Sequence, residues 1–181
     1  MKFRCERDAL VEQLSTASRA VSSRGGALPV LTGIHLKAHK ETLTMTGSDL
    51  EITVRASVAV DVKESGEAVL PSRIVVDIIR SLDSGAVEVE VSGEEAKISG
   101  GRSQFSVRTL PVDDFPALSD PSGDQVTVAT ADLAAGLKQV VRAASGDDAR
   151  PILTGVLMSA EDGGLRLVAT DSYRLAVRDL P

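Results

Sequence analysis

The chain has 181 residues, 43% of them hydrophobic, and a formal net charge of −6. This is enough apolar material for one large domain or two modest ones, which excludes a disordered tail. No run approaches the roughly 18 apolar residues of a membrane helix, and the charged opening Met1-Lys-Phe-Arg-Cys-Glu-Arg-Asp8 has no signal-peptide core, so a soluble cytoplasmic protein is expected. The acidic balance argues against a simple basic nucleic-acid binder, because non-specific DNA affinity comes mainly from phosphate neutralisation by Lys and Arg.

In chain order, Phe3, Arg4 and Cys5 read as a strand with alternate residues inward, which makes the single cysteine a core residue. Leu10, Leu14, Ala17 and Val21 then fall on one helical stripe, with Arg19 opposite it. Ser72 caps a second helix in which Ile74, Val75, Ile78, Ile79 and Leu82 face inward, Arg73 and Arg80 lie on the far side, and Gly85 is the stop. Val87–Val91 and Phe105–Val107 alternate as antiparallel strands, with turns at Ser92-Gly-Glu94 and Asp162-Gly-Gly164. Ser119–Asp124 has linker composition. A third helix places Leu133, Leu137, Val140, Val141 and Ala144 inward and Lys138 and Arg142 outward, with Thr130 as cap and Gly146 as stop. These elements predict an α+β protein with antiparallel sheets and few helices.

The chain also repeats itself. Pro29-Val-Leu-Thr-Gly-Ile34 matches Pro151-Ile-Leu-Thr-Gly-Val156 at an offset of 122, continuing through Leu43 with Leu165, Met45 with Leu167 and Asp49 with Asp171. Beyond that the best pairing slips by one residue, setting Val54 against Val177 and Arg55 against Arg178, as a one-residue insertion would produce. Upstream, an offset of 123 pairs Phe3 with Val126, Leu10 with Leu133, Leu14 with Leu137 and Arg19 with Arg142. The repeat therefore carries an outward charge as well as a core. One module is expected over 1–120, and a second over 125–181 that holds the counterpart of only the first half of the first.

No catalytic or metal constellation emerges. His35 and His39 have no Cys or carboxylate at ligand spacing and read as surface residues. Gly25-Gly26, Gly100-Gly101 and Gly163-Gly164 lack the continuation of a phosphate loop and read as turns. Ser172 lacks a nucleophile elbow. Thr170–Val177, which sets Tyr173 and Arg174 beside an apolar run, reads equally as a partner contact or as an ordinary strand with a solvated Arg. No cofactor, metal or catalytic residue is expected.

Met1-Lys-Phe-Arg4, Leu28-Pro-Val-Leu31, Thr46-Gly-Ser-Asp-Leu50, Leu70-Pro-Ser-Arg73, Gly101-Arg-Ser-Gln-Phe-Ser106, Leu110-Pro-Val-Asp-Asp-Phe-Pro116 and Ala169-Thr-Asp-Ser-Tyr-Arg-Leu-Ala176 together resemble the β sliding clamp family of bacterial DNA polymerase III. Each motif alone is weak; their order across the whole chain makes the set specific. The resemblance implies DNA-clamp domains with sheets outside and helices lining an inner face, three domains per subunit with the third absent here, and a head-to-tail homodimer ring around double-stranded DNA. It implies a non-catalytic processivity factor of the replicative polymerase. It places Arg19, Arg73, Arg80, Lys138 and Arg142 toward phosphates, with loop contacts at Arg24 and Arg150.

The same resemblance implies that the polymerase catalytic subunit, clamp loader and repair polymerases insert short hydrophobic peptides at Leu153, Thr170, Ser172, Tyr173, Arg174 and Leu175. Ser172 and Tyr173 depart from the glycine and histidine of some members. Ring closure would use Gln104, Phe105 and Val107 with Ile74 and Ile78. The alternative reading is a clamp-like peptide-binding module without DNA retention.

Overall fold

The computed structural model describes residues 1–22, 28–118, 125–161 and 164–181. Arg24, the Ser119–Asp124 segment, Gly25-Gly26 and the start of the Asp162-Gly-Gly164 turn lie outside the described residues. The chain divides into two units, Met1–Leu118 and Ser119–Pro181.

In the first unit, β1 (Lys2–Glu6) turns Phe3 and Cys5 inward and Arg4 and Glu6 outward, as a two-residue period requires. Burial pushes the Cys5 thiol up from its ordinary value, which keeps it protonated and inert. α1 (Arg7–Ala17) follows without a break. The Arg7 N–H donates to the Gly85 carbonyl at 2.8 Å, and Leu10, Leu14 and Ala17 form the buried stripe. The helix tightens into a 3-10 turn at Ser18–Ala20, so Val21 packs on the core from beyond the helix rather than from its stripe.

After a 3-10 turn at Pro29–Thr32 come β2 (Gly33–His39), β3 (Thr42–Ser48), β4 (Thr53–Ala59), β5 (Asp61–Glu64) and β6 (Gly66–Pro71). α2 (Ser72–Ser81) leads to β7 (Ala86–Ser92), β8 (Glu95–Gly100) and β9 (Ser103–Arg108). The strands form two antiparallel sheets, ordered β4-β3-β2-β6 and β5-β1-β7-β8-β9. Both sheets and both helices contribute to one core, in which Phe3, Leu14, Ile34, Met45, Ile79 and Ile98 are each no more than 1% exposed. On the opposite face of β2 and β6, Leu110, Val112 and Phe115 cover Val30, Leu31 and Val69. His35 is part of that cover, not a free surface residue: its ring stacks on Phe115 with centroids 5.1 Å apart and its Nε2 meets Glu67 at 2.9 Å. His39 is exposed.

The second unit consists of α3 (Thr130–Val140) and one antiparallel sheet, β10 (Leu157–Glu161), β11 (Gly164–Thr170) and β12 (Leu175–Leu180). Val140, Ala143, Leu167, Ala169 and Leu180 form its core, with Leu133, Leu137 and Ala144 packed against them.

The repeat holds in α1 and α3 and in β3 and β11, whereas β10 and β12 are shorter than β2 and β4, and residues 125–129, the counterpart of β1, form no strand. α3 begins and ends 123 residues after α1, each helix is followed by a three-residue 3-10 turn, and 3-10 turns recur at Pro29–Thr32 and Pro151–Leu153. Met45 and Leu167, paired by the repeat, are both 0% exposed. The one-residue slip is not real. Gly47 pairs with Val54 as Ala169 pairs with Ala176, so the offset of 122 holds through the last strand. Val54 corresponds to Ala176, and Val177 points to the outer face, 51% exposed.

The expected caps also differ. Ser72 and Thr130 are first helical residues, preceded by Pro71 and Ala129 with no side-chain cap bond, and Gly85 and Gly146 lie beyond the helix ends. Val141 and Ile74, read as inward, are 51% and 52% exposed, because Val141 sits on the 3-10 turn and Ile74 at the margin of its stripe. Where Ala169 fills the second unit, the first has Gly47, whose added Cβ would lie 2.1 Å from the Ala17 carbonyl oxygen. Gly47→Ala should therefore push α1 off β3 and destabilise the first unit by about 2–3 kcal/mol, read from urea unfolding.

Candidate functional site

Exposed cations stand on α2 and α3 and on the 3-10 turns that follow α1 and α3. In the first unit, Arg19 projects from the 3-10 turn after α1, and Arg73 and Arg80 from α2; all three are exposed. They are not equivalent. Arg80 is held: its Nη2 donates to Ser15 Oγ at 2.9 Å, and its carbonyl accepts from Arg7 Nη2 at 2.7 Å. Arg73 makes no hydrogen bond or ion pair among the described residues. Both line a groove of about 480 Å³ with Ser18, Ser72, Val76 and Asp77. In the second unit, Lys138 in the last turn of α3 and Arg142 in the following 3-10 turn are exposed. Arg150 is tied to the β11–β12 turn, with Nε on Asp147 Oδ2 at 2.9 Å and Nη1 on Ser172 Oγ at 3.2 Å.

That turn is built by Asp171. Its Oδ1 accepts from the Tyr173 and Arg174 N–H groups at 3.0 and 2.9 Å, and its Oδ2 from Arg174 Nε at 2.9 Å. The Tyr173 N–H first, then that of Arg174, holds the carboxyl below its ordinary value. Thr170 Oγ1 donates to the Arg174 carbonyl at 2.7 Å and accepts from the Ser172 N–H at 3.2 Å. Ser172 is forced to φ 79, a conformation that disfavours any residue with a Cβ.

The first unit carries the same turn, with Asp49 Oδ1 accepting from Glu51 and Ile52 N–H at 3.0 and 2.7 Å and Leu50 at φ 77. In the second unit the turn displays Tyr173, 94% exposed, and Leu175, 66% exposed. Beside it lies an apolar groove of about 450 Å³, lined by Ile152, Leu153, Gly155, Leu157, Val168 and Thr170 among others. Of the six predicted pocket residues, Leu153 and Thr170 line this groove; Ser172, Tyr173, Arg174 and Leu175 form the adjoining turn and strand start. Ile152, Leu157 and Val168 escaped the sequence reading. Two-residue alternation from Thr170 back through Val168, with β10 set by the repeat, would have found Val168 and Leu157; Ile152 sits on a 3-10 turn, which leaves no such periodic signal.

Gln104 and Phe105 are exposed on β9, which ends its sheet and among the described residues pairs on one side only, with β8. Val107 is 6% exposed and already belongs to the core of its own unit, so only its backbone is left for a neighbour. Ile74 is exposed, and Ile78 is partly buried against the core.

The family model for the N-terminal domain of the DNA polymerase III beta subunit matches residues 1–119, and the model for the central domain matches residues 127–181. The chain belongs to the DNA polymerase III beta subunit family. It is 38% identical to the beta sliding clamp of Streptomyces coelicolor over 99% of this chain and 47% of that protein. It is 32% identical to the beta sliding clamp homolog GriR of Streptomyces muensis over 99% of this chain and 48% of that protein. Among solved structures, the subunit beta of Pseudomonas aeruginosa superposes with a TM-score of 0.91 at 33% identity, covering 99% of this chain and 50% of that one. A Pseudomonas aeruginosa sliding clamp bound to griselimycin gives 0.89 at 32% identity, covering 99% of this chain and 49% of that one. The chain thus spans about half the length of the curated relatives it matches.

Within this beta-subunit chain, two tests address the turn. Ser172→Gly relieves the left-handed residue and should raise the stability of the second unit by about 1 kcal/mol in urea unfolding. The Asp171 carboxyl has a lowered folded-state pKa, so its stabilisation of the turn is present above its ordinary value of 3.8 and is lost as pH falls through the lower folded value. The Tyr173 amide resonance should therefore titrate with a midpoint below 3.8.

Proposed function

We propose that this chain serves as part of a DNA sliding clamp, the processivity factor of a bacterial replicative polymerase, and does no chemistry of its own. The observation that carries the reading is the coincidence of two facts. Family models of the beta subunit cover both units, and each unit repeats an exposed cation, Arg19 or Arg142, just past the buried stripe of a corresponding helix. Arg73, Arg80 and Lys138 extend that set, and Arg24 and Arg150 are its loop members. A clamp must slide, so these groups meet backbone phosphates and read no bases. The duplex is held topologically once a head-to-tail homodimer ring closes through β9, Ile74 and Ile78.

The groove beside Leu153 and Thr170, with the Ser172–Leu175 turn, is the seat for short hydrophobic peptides of the polymerase, the clamp loader and repair polymerases. Its apolar lining and its exposed Tyr173 and Arg174 supply area and oriented donors for such a peptide. On this reading the protein works in the bacterial cytoplasm, at the nucleoid. The formal charge of −6 favours a second reading, a clamp-like module that binds peptides and does not retain DNA.

Salt-dependent DNA retention separates the two. Arg73→Glu with Arg142→Glu, introduced into a form extended to the length of the relatives, should lower retention on circular duplex at least about tenfold. The slope of log affinity against log salt should fall by about one per lost phosphate contact. Unchanged retention would support the peptide-only module.

A further inference from the structure

Asp77 sits between the two arginines of α2. Arg73, Asp77 and Arg80 stand at i, i+4 and i+7, a spacing that puts them on one face of the helix, and all three are exposed and line the same groove. Ser72 also lines the groove; its residue is 5% exposed, and its hydroxyl makes no hydrogen bond among the described residues. Arg80 is committed to Ser15 through one of its guanidinium nitrogens. Arg73 and Asp77 make no ion pair or side-chain hydrogen bond among the described residues, so each stays available to the other or to a ligand.

We infer that Asp77 is a built-in brake on this face, a carboxylate that competes with DNA phosphate for Arg73 and Arg80 and keeps the contact weak enough to slide. The inference rests on the reading of the α2 face as DNA-facing. A carboxylate one helical turn from Arg73 repels an arriving phosphate and offers the guanidinium an alternative partner. The carboxylate lowers the positive potential that Arg73 presents to a phosphate, so each contact on this face is weaker than the two arginines alone would make it. Arg80, pinned by Ser15 and by the Arg7 bond to its carbonyl, supplies the fixed charge, and Arg73 the exchangeable one.

Binding of a fluorescein-labelled duplex to the whole chain, followed by anisotropy at low salt and through a salt titration, tests this. Asp77→Asn should bind about threefold to tenfold more tightly than the unaltered chain, with the gain shrinking as salt screens the carboxylate, and Asp77→Glu should bind as the unaltered chain does. Circular dichroism checks that each variant is folded, which the exposure of Asp77 favours. If Arg73→Gln weakens binding while Asp77→Asn leaves it unchanged or weaker, the brake is wrong and the DNA-facing reading stands. If neither substitution alters binding, the DNA-facing reading of α2 falls and the brake falls with it.

Discussion

Everything on the functional surfaces depends on one packing constraint, the burial of a narrow helix stripe against an antiparallel sheet. Leu10, Leu14 and Ala17 in the first unit, and Leu133, Leu137 and Val140 in the second, leave a helix only one direction for its apolar side chains. The opposite face is then committed to solvent, and what stands there is free to be charged without cost to the core. Arg19 and Arg142 occupy the corresponding place in the two units, on the 3-10 turn that ends each helix. A change in the stripe would rotate the helix and redirect its cations, so the basic face is a consequence of core packing as much as of surface selection.

The turn after β3 in the first unit recurs after β11 in the second. Asp49 and Asp171 make the same pair of backbone hydrogen bonds, and Leu50 and Ser172 accept the same left-handed conformation. In the second unit the turn carries Tyr173 and Arg174 beside an open apolar groove. In the first unit the corresponding region of β2 is covered by the chain's own Leu110–Phe115 segment, with His35 stacked on Phe115 where the second unit has Leu157.

Much of this was legible in the sequence, because periodicity and self-similarity report burial directly. The helices over Leu10–Ala17, Val75–Ile79 and Leu133–Val140, the alternating strands and the α+β class follow from that signal. Where the reading failed, the deciding contact was distant or the local code degenerate. Valine and arginine recur so often in strands that aligning Val54 with Val177 outscored the true register, which backbone pairing and an identical turn length maintain. His35 was misread because Phe115 is eighty positions away along the chain. Ser72 and Thr130 have the composition of caps, but the non-helical backbone at Pro71 and Ala129 takes the cap position. Val107 resembles an edge residue by location, yet its alternation points it into the core. Residue chemistry left Thr170–Val177 open between a partner contact and an ordinary strand, since a Tyr-Arg pair next to a strand is common, and Leu153 was singled out only through family resemblance.

The central claim is that the solvent faces of the helices, and not the sheets, meet the phosphates of DNA. Arginine-directed chemical footprinting of the chain, with and without a short duplex, addresses it residue by residue. The account predicts protection of Arg19, Arg73, Arg80 and Arg142, with Arg102 and Arg108 beside and on β9 reacting equally in both states; protection confined to Arg102 and Arg108, or none at any arginine, would contradict it.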